Sequence, residues 1–181
     1  MRLVVGLGNP GKQYAKTRHN AGFMVLDELR KKTQTDFNWT AWEVSKKCNA
    51  EISQGSRNGQ KIILLKPLTF MNDSGVSTQL ALNYFKISPN DLIVIHDDKD
   101  IVLGELKVQT DRGHAGHNGV RSIIEQIGTQ NFTRLRLGIA SSDSKRMTDV
   151  PEFVLSKFGL FESSALKKSL QAAISELEKL L

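Results

Sequence analysis

Cysteine is almost missing from this chain: Cys48 is the only one in 181 residues. A lone cysteine closes no internal disulfide and offers no second thiolate, which excludes a disulfide framework and a cysteine-based metal centre. Long apolar runs are missing too. Short runs such as Leu3–Val5 and Ile62–Leu65 fall far below the roughly 18 residues a membrane-spanning helix needs. Met1-Arg2 leads straight into such a run and then a glycine loop, so no signal peptide is expected and the expected compartment is the cytoplasm. There is no internal repeat, no linker and no basic block long enough for a disordered arm. Arg30-Lys31-Lys32 closes a helical segment, where cations suit the dipole. Hydrophobic residues at 39% and charged residues at 24% are those of a globular protein, and the length predicts one domain over residues 1–181.

What is present is an excess of positive charge, +6 at pH 7. Such an excess draws polyanions, nucleic acid foremost, although a solvated basic surface with no partner explains the charge equally well. Organisation is clearer. Leu3-Val4-Val5 reads as a buried strand ending in the turn-rich Gly6–Gly11, and a helix follows Arg18-His19-Asn20, with Asn20 as its N-cap. The stretch from Thr33 to Thr40 is polar and irregular. Strands are expected near Glu43–Ser53 and Lys61–Lys66, joined by an Asn58-Gly59 hairpin turn, with Pro67 breaking the second. A helix with Val76, Leu80 and Tyr84 on its apolar stripe comes next. Leu92–Ile95 is a buried strand finishing in His96-Asp97-Asp98, and Leu103–Val108 a shorter one. A glycine-rich loop, Gly113–Gly119, feeds a helix carrying Val120, Ile123, Ile124 and Ile127. Leu135–Ile139 is the last strand, and an amphipathic helix closes the chain from Leu160. Helices alternating with continuous apolar strands predict an α/β domain of three layers, a twisted, mostly parallel mixed sheet flanked by helices. Ligands in such sheets gather at the carboxyl ends of strands, which points to Asn9–His19, Phe70–Asn72 and His96–Asp98.

Those segments contain the chemistry. Of four histidines, His19, His96, His114 and His117, each taken alone is more often structural than catalytic. His19 stands out because Asp97, Asp98 or Asp100 could bond one imidazole nitrogen and leave the other basic enough to deprotonate water. No activated nucleophile is evident: Ser74 and Cys48 lack basic neighbours, and there is no strand–Gly-x-Ser-x-Gly–helix elbow. Asn9, Asn72 and Asn118 bring uncharged donors and acceptors that suit peptide groups or an oxyanion, but turn and cap roles are the commoner use of asparagine. Gly6-x-Gly8-x-x-Gly11 matches a dinucleotide fingerprint only superficially. Pro10 and the polar stretch through Asn20 leave no helix directly beneath a pyrophosphate, which excludes a nucleotide-dependent oxidoreductase. His114-x-x-His117 with Asp97 or Asp98 is too incomplete a ligand set for a metal, and none is expected.

The blocks Val5–Tyr14, Thr17–Phe23, Lys66–Gly75, His96–Asp100 with Gly116–Ile123, and Asn131–Ile139, in this order, resemble the signatures of bacterial peptidyl-tRNA hydrolases, and the resemblance runs to about Phe158. It implies an enzyme that cuts the ester between a peptide and the 3′-terminal ribose of tRNA. His19 is implied as general base, with Asp97 orienting it. Asn9 would sense the blocked amino group. Tyr14, Phe70, Asn72 and Asn118 would contact the terminal nucleotide, the ester or the peptide backbone, with Met71 packed beneath. Lys107 and Arg136 would lie on a basic face for the acceptor stem. The resemblance implies no cofactor, no membrane attachment and no obligate protein partner, and a monomer is expected. Departures are Thr110-Asp111-Arg112 and Ala115 where small residues or glycine are usual, Gln109 where a basic residue is frequent, Ser141-Ser142-Asp143 after the last strand, and a short C-terminal helix. The competing reading is a non-catalytic RNA-binding module on the same scaffold.

Overall fold

A computed structural model describes residues 1–141 and 147–181. Seven strands form one sheet: β1 (Arg2–Gly6), β2 (Glu43–Ser45), β3 (Ala50–Arg57), β4 (Gln60–Pro67), β5 (Leu92–Val102), β6 (Leu106–Thr110) and β7 (Thr133–Ala140), in the spatial order β2-β3-β4-β1-β5-β7-β6. The centre, β4-β1-β5-β7, is parallel. Within it β1, the middle of β4 and the start of β5 are continuous Val, Ile and Leu, as burial on both faces demands, whereas β7 alternates Leu135, Leu137 and Ile139 with Arg134, Arg136 and Gly138. Antiparallel pairing is confined to the margins, β2-β3-β4 on one side and β7-β6 on the other. The Asn58-Gly59 turn joins β3 to β4 with both residues at positive φ, 50° and 77°, the signature of a type I′ hairpin.

Each face of the sheet carries its own apolar layer. One joins Leu3, Val5, Ile63, Leu65 and Val94 to helices α3 (Ser74–Phe85) and α4 (Asn118–Ile127) through Ala81, Val120 and Ile123. The other joins Val4, Ile62, Leu64, Ile93, Ile95, Leu135 and Leu137 to α1 (Ala21–Lys32) and the C-terminal α6 (Ser163–Leu180) through Val25, Leu26, Leu29, Ile174 and Leu177. A short α2 (Gln34–Phe37) lies inside the segment read as irregular, and α5 (Val150–Leu155) follows β7.

Three expectations are corrected. The Val76, Leu80, Tyr84 stripe of α3 does not face the core: Leu80 and Tyr84 are exposed. The buried face is Ser74, Gly75, Ser77, Thr78, Ala81 and Leu82, small residues that admit α4 to close range. Their hydroxyls are satisfied locally, Thr78 Oγ1 donating to Ser74 O at 2.9 Å and Ser77 Oγ to Asn49 O at 2.7 Å. Next, β5 does not finish at Asp98 but runs to Val102, with an irregularity in its pairing after Asp98. Pairing with β7 carries it through His96, Asp97 and Asp98, whereas its other neighbour β1 ends at Gly6 opposite Ile95. The stretch beyond Ile95 is therefore open on the β1 side. Finally, β6 begins at Leu106 rather than Leu103 because a turn with Gly104 at φ 104° precedes it.

Gly22, in the first turn of α1, allows the helix to start directly over that opening. A Cβ there would sit 2.4 Å from Leu7 N and 2.5 Å from Ile95 O, so only glycine lets α1 begin at the ends of β1 and β5. The 3-10 turn Arg18–Asn20 immediately before it is thereby brought to Asp97.

Candidate active site

A cavity of about 410 Å³ opens at the carboxyl ends of the parallel strands. Its lining includes Asn9, His19, Phe70, Met71, Asn72 and Asp97, drawn from all three segments that the strand-end rule singled out. At its polar end His19 Nδ1 lies 2.9 and 3.0 Å from the two oxygens of Asp97. Asp97 is buried, at 2% exposure. A second imidazole shares the carboxylate: His117 Nε2 is 3.0 Å from Asp97 Oδ1.

Hydrogen-bond roles follow from the neighbours. His117 caps α4, its Nδ1 accepting from Val120 N at 3.3 Å, so its proton is on Nε2 and donates to Asp97. His19 likewise donates Nδ1–H to Asp97 and keeps its Nε2 lone pair free. Burial alone would raise the Asp97 carboxyl, but the two imidazoles hold it far below the usual carboxylate range, so it is charged at any working pH. For His19, burial pulls the pKa down, yet the charge and hydrogen bond of Asp97 outweigh it and leave the pKa raised. His96 behaves oppositely. It is buried, donates Nδ1–H to Asp97 O at 2.7 Å, and packs edge-on against His117 with centroids 4.7 Å apart. Burial and the adjacent His117 drive its pKa well below 6.5, and it is neutral.

His19, Asp97 and His117 offer ligand atoms within 4.8 Å of one another. With His19 and His117 in these tautomers, both imidazole nitrogens facing the carboxylate donate to it. His114 stands apart, its Nδ1 accepting from Gly116 N at 3.1 Å.

Asn9 is held on three sides. Its backbone N–H donates to Asn20 Oδ1 and its carbonyl accepts from Asn20 Nδ2, both at 2.9 Å. Its Oδ1 accepts from Met71 N at 2.8 Å. That bond fixes which end of the amide is the oxygen and leaves the two Nδ2–H donors of Asn9 uncommitted beside the cavity it lines. Asn20 occupies the N-cap position of α1 but makes no capping bond, its amide being spent on Asn9. Capping fails as an account of Asn72 and Asn118 also. Both side chains are exposed on the cavity, and the cap of α4 is His117. Met71 is buried at the cavity floor beside Gly119, while Phe70 is 58% exposed at the rim with Tyr14 edge-on to it at 6.3 Å. Tyr14 does not itself line the cavity.

Of the two basic residues that the resemblance assigns to one face, Lys107 is exposed on the edge strand β6. Arg136, its register partner on β7, is buried and bound to Asp98, with Nε 2.8 Å and Nη2 2.6 Å from Oδ2. Its Nη1 donates to Gln109 Oε1. The guanidinium is thus held by a buried carboxylate rather than free on the surface, and Asp98 is withdrawn from competition for His19. The unusual loop residues Asp111 and Ala115 both adopt positive φ, 53° and 48°, where glycine is favoured. Of the Ser141-Ser142-Asp143 departure, Ser142 and Asp143 lie outside the described residues. His117 is the residue that sequence reading undervalued. Histidine is not among the usual N-cap residues, so no local signal marked its capping of α4 or its contact with Asp97.

A family model described as peptidyl-tRNA hydrolase matches residues 3–181. The peptidyl-tRNA hydrolase of Sorangium cellulosum is 43% identical over 177 residues, covering 98% of this chain and 77% of that protein. That of Mycoplasma mycoides is 44% identical over 169 residues, covering 93% and 87%. The crystal structure of peptidyl-tRNA hydrolase from Acinetobacter baumannii superposes with a TM-score of 0.86 at 36% identity, covering 98% of this chain and 87% of that one. On the strength of a match that spans nearly the whole sequence and the whole fold, the chain belongs to the peptidyl-tRNA hydrolase family.

Proposed function

We propose that this chain hydrolyses the ester joining a peptide to the 3′-terminal ribose of tRNA, with water as the nucleophile and His19 as its general base. The observation that carries the reading is the His19–Asp97 pair at 2.9 Å, which fixes the imidazole with Nε2 unprotonated at the edge of the cavity. His19 Nε2 takes a proton from water as the oxygen attacks the ester carbonyl. The tetrahedral intermediate collapses, and the imidazolium returns the proton to the departing ribose oxygen. Asp97, ionised throughout, stabilises the imidazolium that forms. The uncharged amides of Asn72 and Asn118 supply donors for the developing oxyanion or the peptide backbone.

Asn9 explains why a blocked amino group matters. Because its Oδ1 is engaged by Met71 N–H, it meets substrate through its Nδ2–H donors. The carbonyl of a peptidyl or acyl group accepts that bond, whereas a free ammonium is donor-only and is left unsatisfied. Backbone-directed contacts of this kind ignore side-chain identity. Phe70 and Tyr14 at the rim are suited to stack on the terminal nucleotide. Lys107 provides a sequence-blind phosphate contact for the acceptor stem, as an enzyme serving every tRNA requires. We place the working enzyme as a monomer in the cytoplasm; among the described residues no helix is long and apolar enough to cross a membrane.

Following deacylation of an N-acetyl-aminoacyl-tRNA and of the matching free aminoacyl-tRNA tests this reading. The wild type cleaves the first and spares the second, and His19→Ala abolishes turnover with tRNA binding nearly unchanged. Tight tRNA binding without ester cleavage by the wild type would instead establish the non-catalytic module.

A further inference from the structure

Arg18, next to the candidate base, has no part in the chemistry above and is fully buried. Its guanidinium reaches three separate segments: Nη1 donates to Ile139 O at 3.1 Å on β7, Nε to Ser156 Oγ at 3.3 Å, and Nη2 to Glu162 Oε2 at 2.6 Å. The rings of Phe153 and Phe158 lie over it, with centroids 4.5 and 4.8 Å from the guanidinium carbon. Its backbone N–H donates to Ser156 O at 3.0 Å, and Thr17 forms an isolated antiparallel bridge with Lys157.

These contacts converge on α5 and the turn after it. Val150, Pro151, Val154 and Leu155 of α5 form an apolar wall of the cavity. A helix of six residues does not hold itself together in water. Phe153 is its only buried residue, and that ring rests on the Arg18 guanidinium; Ser156, its C-cap, is bound by Arg18 through both side chain and backbone. The 3-10 turn has independent moorings: His19 on Asp97 and Asn20 on Asn9. Removing the guanidinium therefore loosens the wall more than the base.

We propose that Arg18 is a positioning residue for substrate capture: its guanidinium clamps α5, the apolar wall of the cavity, to the turn that carries His19. The clamp needs arginine in particular, because a lysine ammonium cannot stack between two rings while donating in a planar fork to three acceptors. Glu162 completes it, neutralising the buried cation and also accepting from Gly159 N at 2.6 Å. The role deepens the hydrolase reading and rests on it for its kinetic readout.

The test compares wild type, Arg18→Lys and Glu162→Gln at a temperature where circular dichroism shows all three folded. Deacylation of N-acetyl-aminoacyl-tRNA gives KM and kcat, and hydrogen exchange reports on the amides of 152–156. We expect KM to rise at least about fivefold in Arg18→Lys and less in Glu162→Gln, kcat to stay within about twofold, and exchange in 152–156 to quicken in both. Unchanged KM with a lowered Tm would reduce Arg18 to a fold stabiliser and overturn the proposal. So would a fall in kcat at constant KM, which would place its action on His19. If Arg18→Lys does not fold, Glu162→Gln decides by the same criteria. A wild type that cleaves no ester defeats the hydrolase reading, and the exchange measurement still decides the clamp.

Discussion

At position 97 an asparagine would fill the space of the carboxylate, but with its oxygen in the place of Oδ1 it would set an Nδ2–H donor against the His19 Nδ1–H, and it would carry no charge to hold an imidazolium. Asp97→Asn should therefore lower kcat on the order of 10³- to 10⁴-fold, the scale expected when the anchor of a general-base imidazole becomes an amide. The pH profile adds a sign. Asp97 raises the His19 pKa against the pull of burial, so wild-type kcat should climb with pH through a midpoint above 6.5, where His19 loses its proton. In Asp97→Asn, burial is left unopposed and any residual activity should have its limb at lower pH. A wild-type midpoint at or below 6.5 would contradict the pairing. His96 makes the opposite contribution to stability. Its folded pKa lies well below 6.5, so as pH falls through 6.5 the unfolded chain takes up a proton that the folded chain refuses, and stability drops. The group can account for at most about 1.4 kcal/mol per pH unit. Tm measured from pH 7 to 5 should accordingly fall less steeply in His96→Gln than in the wild type; parallel slopes would remove His96 as a source of acid sensitivity.

Elements were read well where burial alone set them and poorly where pairing or close approach did. The apolar run of the Leu92 strand ends at Ile95 and its sequence points to a finish in His96-Asp97-Asp98, yet the strand continues to Val102, which pairs with Ala140 of β7. The apolar spacing of Val76, Leu80 and Tyr84 suggested a core face for α3, but helix–helix distance chose the small-residue face instead. That choice is testable at Gly75, where a Cβ would lie 2.1 Å from the backbone oxygen of Ser122 on α4. Gly75→Ala must push the helices apart, at a cost of about 1–3 kcal/mol. Gly59 in the hairpin is the control, with φ 77° but no atom within 4 Å of the place a Cβ would occupy. Gly59→Ala should lose only about 1 kcal/mol from backbone strain, roughly 2–4 °C in Tm for a domain of this size, with kcat and KM unchanged. A Gly75→Ala protein no less stable than Gly59→Ala would mean that α3 and α4 are not in the contact described.

For the molecule as a whole the net charge of +6 bears on capture rather than on chemistry. Raising salt should increase KM for a tRNA ester while leaving kcat nearly constant, since released counterions drive phosphate contact. A KM indifferent to salt would sever the basic surface from substrate binding. The parallel centre of the sheet and the three strand-end segments that meet at the cavity were legible in the order of residues, because buried strands and glycine turns impose local patterns that need no partner; roles for individual residues came only with the resemblance. From the residues alone, three carboxylates at 97, 98 and 100 competed for His19, and resemblance favoured the first. Tertiary structure supplied the reason: the pleat turns Asp97 towards the start of α1 and Asp98 to the opposite face, where Arg136 takes it. It also decided that Arg136 is spent in the interior, that Asn20 serves Asn9 rather than a helix end, and that His117 shares Asp97 with His19. Such commitments depend on which polar groups meet across the sheet, and a side chain's partner many residues away is set only when the chain has folded.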